Sequence, residues 1–277
     1  MLRSMKDMEE FSIGATDGVI GRVKDFYFDD AAWVVRYLVV ETGEWLSRRR
    51  VLISPISINQ PSWSEKIFPV SITQEQVKNS PNIDTDKPVS RQHEEVYLDY
   101  YGFPYYWGGS SFWGEGIFPG MMGFGNAGTI AEARKAEAQM ARANAEADAE
   151  GHPDGDPHLR SGNAILKYHV HATDGDIGHV HGLLVDEKTW AIRYLVVNTS
   201  NWWLGHEVLV APQWIHDMNW IDSKVMIDLT RQAVKDSPLY DSTTTLNREF
   251  ETDVYKHYGR DGYWPHEAKH DAAKARL

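Results

Sequence analysis

Residues 15–40 read ATDGVIGRVKDFYFDDAAWVVRYLVV, and residues 172–197 read ATDGDIGHVHGLLVDEKTWAIRYLVV. The second stretch begins 157 residues after the first and aligns with it without a gap. The same offset pairs Trp45 with Trp202, Pro55 with Pro212, Trp63 with Trp220, and the Ser-Pro pairs at 80–81 and 237–238. It still holds for Tyr-Gly at 101–102 and 258–259, and for Tyr-Trp at 106–107 and 263–264. Residues 13–107 and 170–264 therefore read as two copies of one unit. A unit of about 95 residues is far longer than a solenoid repeat and long enough to enclose its own core.

Each copy reads as a series of short strands. The Asp-Gly pairs at 17–18 and 174–175 are hairpin-turn signals, since both residue types tolerate positive φ. A β-rich run follows at 23–28, then a turn at 29–32. Residues 33–40 are β-branched and aromatic, which suits a strand covered on both faces. Further strands are expected at 51–53, ending at Pro55, and at 67–72. Short strands at close spacing with tight turns predict a small β-barrel of SH3-like size rather than a parallel sheet. Its core is expected at Val23, Tyr37, Val39 and Leu52, with Val180, Tyr194, Val196 and Leu209 as counterparts, and Leu38 or Leu195 would be costly to truncate if fully buried.

Short helices are expected behind the strands. Thr73 and Gln76 form a capping box for a helix ending before Pro81, and Thr230 opens its counterpart. Residues 91–101 and 248–258 read as helices, with Ser90 and Asn247 as N-caps. Residues 108–128, GGSSFWGEGIFPGMMGFGNAG, join glycine to large apolar side chains. Residues 130–150 are alanine-rich, capped by Thr129 and Glu132 and followed by Gly151, and predict a helix about 30 Å long. The expected organisation is therefore mainly β. Domain 1–107 is one barrel with its helical and aromatic tail, and 108–169 is a linker containing the Ala-rich helix. Domain 170–264 is the second barrel, and 265–277 is a tail.

The pattern T-D-G, then Asp, then W-x-x-R-Y-L-V-V, present in both copies, resembles the PRC-barrel domain. That family takes its name from the cytoplasmic part of the photosynthetic reaction-centre H subunit, and also supplies the second domain of a bacterial ribosome maturation factor. The trailing S-P, R, E, Y-G and Y-W residues are similar to the tail of tandem bacterial members. The resemblance implies a non-catalytic, protein-binding scaffold, with assembly of an electron-transfer complex as one role. It carries over no catalytic residue. The H subunit's membrane helix has no counterpart here, so a cytoplasmic protein is expected.

Composition narrows the chemistry. The 277 residues carry a formal charge of −12 and contain no cysteine. The charge argues against generic nucleic-acid binding. The lack of cysteine removes disulfides, thiolate metal sites and cysteine nucleophiles. No Walker loop, H-E-x-x-H, nucleophile elbow or Rossmann fingerprint occurs, so neither an enzyme nor a cofactor is expected.

Two groups of candidate site residues remain. His169, His171, His179 and His181 flank the second Asp-Gly turn and, if they converge, would suit zinc, nickel or copper. Their first-copy counterparts are Ser12, Gly14, Arg22 and Lys24, so an exposed polar face that charges below about pH 6.5 is the alternative. Phe112, Trp113, Phe118, Met121, Met122 and Phe124 lie in the joining segment and have no counterpart in a second copy. They are read as exposed partner-binding residues. On that reading, deleting 110–127 leaves both barrels folded. Trp33, Arg36 and their counterparts Trp190 and Arg193 read as core residues and carboxylate-paired arginines. The expected partner is another protein, with self-association allowed. A metal- or pH-responsive binding protein and a ribosome- or RNA-processing factor are the alternatives.

Overall fold

A computed structural model describes residues 1–81, 89, 91–107, 112–113, 119, 158–199, 206–243 and 246–264. Chain contacts divide the protein into two units. One comprises Arg3–Ile165 with Leu183–Arg193, the other Met1–Leu2, Leu166–Gly182 and Tyr194–Leu277. The expected helix at 130–150 and the tail at 265–277 lie outside the described residues.

The chain opens with β1 (Leu2–Ser4), α1 (Met5–Met8), β2 (Ser12–Ala15), β3 (Gly18–Asp29) and β4 (Val34–Thr42). It continues through β5 (Arg50–Ile53), β6 (Ile67–Pro69), α2 (Gln74–Lys78) and α3 (Arg91–Tyr101). The second series is β7 (Leu159–Ser161), α4 (Gly162–Ile165), β8 (His169–Ala172), β9 (Gly175–Asp186) and β10 (Ile192–Asn198). It ends with β11 (Glu207–Val210), β12 (Ile215–Asn219), β13 (Lys224–Ile227), α5 (Arg231–Lys235) and α6 (Arg248–His257). From β1 and β7 to α3 and α6, most elements recur 157 residues apart.

The first sheet has the order β5-β4-β3-β2-β6, with β7 added to β3. The second has the order β11-β10-β9-β8-β13-β12, with β1 added to β9. Among the described residues neither path closes on itself, so the closed small barrels expected are not found. In the first sheet, β5 leads into a 3-10 turn at Pro55–Ser57, and Ile58 then makes an isolated bridge to Val70. Pro55 has no N–H to extend the ladder.

The expected core is buried throughout: Val23, Tyr37, Val39 and Leu52 are all inside, as are Val180, Tyr194, Val196 and Leu209. Leu38 and Leu195 are fully buried as well. Strand β4 is buried on both faces for nearly its whole length, as its β-branched run predicts.

Two local expectations need correction. Ala15 pairs with Gly18 and Ala172 with Gly175, so the glycine opens β3 or β9 rather than occupying the turn. The preceding aspartates turn to the helices instead. Asp17 accepts the Gln74 N–H and Asp174 the Arg231 N–H, both at 2.7 Å, at the first turns of α2 and α5. Gly21 and Gly178 are the glycines that the sheet demands. A Cβ there would lie 2.0 Å and 1.9 Å from the carbonyl oxygens of Glu41 and Asn198.

Trp33 does not begin the strand. It sits at φ 54° and Trp190 at φ 59°, in the left-handed region. The Asp29 carboxylate gathers the N–H groups of Ala31 and Ala32 at 3.0 Å each, and the Trp33 N–H returns to the Asp29 carbonyl at 2.8 Å. That tight turn leaves the left-handed position to tryptophan, whose ring stacks on Phe28 with centroids 5.2 Å apart.

Candidate functional site

The capping expectations place the helices that carry the polar interior. Thr73 and Gln76 form the reciprocal box at α2. Thr230 accepts the Ala233 N–H at α5, and Asn247 accepts the Phe250 N–H at α6. Ser90 lies outside the described residues. Helices α3 and α6 each bring one glutamate inside: Glu94 is 1% exposed and Glu251 4%.

These two carboxylates were not singled out from the sequence, and both are enclosed by tyrosines. Tyr106 donates to Glu94 at 2.5 Å, and His158 Nε2 lies 2.8 Å from its other oxygen. Tyr194 and Tyr263 donate to Glu251 at 3.0 and 2.6 Å, and Arg248 stands 3.3 Å from its second oxygen. Burial first, and the adjacent glutamate charge second, push the hydroxyls of Tyr37 and Tyr194 far above the ordinary tyrosine range. The signal was available: Glu94, Tyr106 and Tyr37 recur at the common offset as Glu251, Tyr263 and Tyr194. Buried acids whose oxygens are taken up by groups of their own chain tie a fold together.

Arg36 lies beside this cluster. It is 3% exposed and pairs with Asp29 at 3.3 Å, as expected. Its guanidinium lies 3.7 Å from the Tyr106 ring centroid and 5.0 Å from that of Trp113. It also donates to the Phe112 carbonyl. Arg193 donates to the Thr189 hydroxyl at 3.5 Å and stands over the Phe112 ring.

The expectation that Phe112 and Trp113 are exposed is thereby corrected. Trp113 is 2% exposed and donates its indole N–H to the Thr189 carbonyl at 2.8 Å, while Phe112 is half-buried. A buried arginine with two aromatic faces drew this segment in, a contact that composition does not reveal. Phe118, Met121, Met122 and Phe124 lie outside the described residues.

The four histidines share the solvent side of the β8–β9 hairpin. His169 and His179 are direct cross-strand partners. His171 lies 2.7 Å from Asp176, and His181 3.4 Å from Glu207. The His171 hydrogen bond holds the Asp176 carboxyl below the usual range. Each of these two imidazoles thus has its own carboxylate. Among the described residues, no group of three or more His, Asp or Glu side chains is arranged to hold a metal ion. Among them, too, no helix is long and apolar enough to cross a membrane.

No curated protein matches the chain. The model of the PRC-barrel domain family matches residues 13–75, from β2 through the first turn of α2. The likeness of the second half to that domain rests on the internal offset, and nothing found supports a particular likeness to the reaction-centre H subunit. It is thus residues 13–75 of this chain that are similar to the PRC-barrel domain.

Proposed function

We propose that this chain is a non-catalytic scaffold, built from two copies of one domain, that presents its surfaces to a protein partner. The observation that carries the reading is how the buried charges are used. Asp29, Arg36, Glu94 and Glu251 all bind groups of their own fold. The outer surface is among the things that differ between the halves: the second carries a histidine face where the first has Ser12, Gly14, Arg22 and Lys24. The matched domain family supports the same reading, and the resemblance extends it to assembly of an electron-transfer complex. The test is size-exclusion of native extract containing the tagged full chain. A complex larger than the chain, with a co-eluting protein in fixed ratio, is expected. Elution at the mass of the chain alone overturns the scaffold reading.

A pH-responsive surface is the second reading, favoured by the His171–Asp176 pair at 2.7 Å on an exposed strand. Partner affinity then depends on pH. A complex whose affinity does not change with pH removes it.

A further inference from the structure

The repeat extends further upstream than the strand pattern reveals. Leu2-Arg3-Ser4 and Leu159-Arg160-Ser161 are the same tripeptide at the same offset. Each forms a strand on the long hairpin that the other series supplies: β7 on β3, β1 on β9.

The seat of β7 is fully specified. Ser161, Arg160 and Leu159 pair antiparallel with Tyr27, Phe28 and Asp29. The Asp30 N–H donates to the His158 carbonyl at 3.0 Å. Arg160 donates to the Asp30 carboxylate at 2.8 Å, and the Ser161 hydroxyl to Asp25 at 2.5 Å. Asn163 follows with its N–H to Asp25 and its side-chain amide to the Lys24 carbonyl, both at 3.0 Å. Leu159 and Ile165 are buried. At the other seat, Arg3 donates to Glu187 at 3.0 Å, and Glu187 stands 157 residues after Asp30. The same arginine therefore meets the same acidic turn position twice.

We propose that Leu-Arg-Ser is a docking tag, that the outer edges of β3 and β9 are its receptors, and that a second copy of this chain can supply the tag. Strand addition uses backbone hydrogen bonds that any extended segment can make, and the arginine–carboxylate pair gives selectivity. A tag from another molecule makes the same bonds as the chain's own. The balance between closed monomers and arm-exchanged dimers is then set by concentration against tethering. The occupant is a second copy because the chain carries two tags and two receptors that read one code.

Charge exchange at one seat tests this in the full chain. Asp30→Arg sets two cations against each other, and Arg160→Asp sets two anions. Each variant alone loses its own pairing and melts a few degrees lower. Refolded together, the two chains are expected to form a one-to-one heterodimer with the melting temperature restored, seen by native mass spectrometry. The double variant Asp30→Arg/Arg160→Asp regains the pair within one chain and is expected to return to a monomer with near wild-type melting. A mixture that stays as two monomers overturns the exchange, and a double variant that does not recover overturns the arginine–acid code. Should either single variant precipitate, isotopically light and heavy wild-type chains refolded together at high concentration answer the same question. Absence of a mixed dimer there also overturns the proposal.

Discussion

The Tyr263 hydroxyl donates to the Glu251 carboxylate at 2.6 Å, deep enough that neither group is more than 9% exposed. Tyr194 donates to the same oxygen at 3.0 Å. Removing the carboxylate strands two buried hydroxyls, each costing about 1–3 kcal/mol when left without a partner. Glu251→Leu is therefore expected to lose several kcal/mol in urea unfolding, and Glu251→Gln, which keeps an acceptor, distinctly less. Equal stability of the Leu variant and the wild type would remove the carboxylate from the list of structural ties.

Trp113 belongs to the core of its unit, so Trp113→Ala is expected to cost about 3–5 kcal/mol. Deleting 110–127 removes the same ring and should destabilise the protein too. Deleting 114–127 spares it and isolates the contribution of Phe118, Met121, Met122 and Phe124 to partner binding. Chemical unfolding of the three variants separates the cases, and a cost below half a kcal/mol for Trp113→Ala would place the ring at the surface.

Leu195 is fully buried in β10. Leu195→Ala is expected to cost about 2–5 kcal/mol, the range for a buried leucine that leaves a cavity. A shift in urea midpoint with unchanged slope is the expected signature.

Burial raises the Asp25 carboxyl above its ordinary value, against hydrogen bonds from Ser161, Phe26 and Asn163 that lower it. A carboxyl whose folded pKa lies above the unfolded one binds protons better when folded. Its contribution to stability is therefore greatest below the unfolded value, near 3.8, and falls as pH rises through the raised one. Asp25→Asn can keep the two backbone donors on its oxygen and turn its amide to Ser161. It should flatten that part of the stability–pH curve. An unchanged slope would assign the pH dependence to other groups.

At the alkaline end, burial pushes the hydroxyls of Tyr101 and Tyr258 to about 12, from 10. The unfolded chain ionises first, so stability is lost as pH rises from 10 toward 12. Tyr258→Phe should shift the alkaline unfolding midpoint upward, followed by tyrosinate absorbance.

Much of this architecture was readable because it is written in side-chain type along the chain. Residues 33–40 predict a strand covered on both faces because β-branched residues fit a pleated surface. The Thr73–Gln76 box announces its own helix. The groups that sequence reading missed act across long separations. Glu94 is one acid among many on a helix until Tyr106 and His158 close around it. Trp33 looks like a strand residue, and only the Asp29 turn makes it left-handed. Trp113 reads as an exposed aromatic until Arg36 is found beneath it. The Leu-Arg-Ser pair was visible in principle, but three residues say little before a sheet edge is seen to receive them.

The strand seat on β3 has a consequence for biosynthesis. Asp30 and the Arg160 that pairs with it stand 130 positions apart in the chain. A ribosome adding about 5–20 residues per second needs roughly 7–26 s to deliver the occupant after the seat has emerged. Throughout that interval a nascent chain exposes an unpaired sheet edge flanked by apolar side chains, the feature that invites association between neighbouring chains. On a polysome, where several such chains hang close together, the delay makes the rate of translation itself a determinant of whether molecules emerge single or joined.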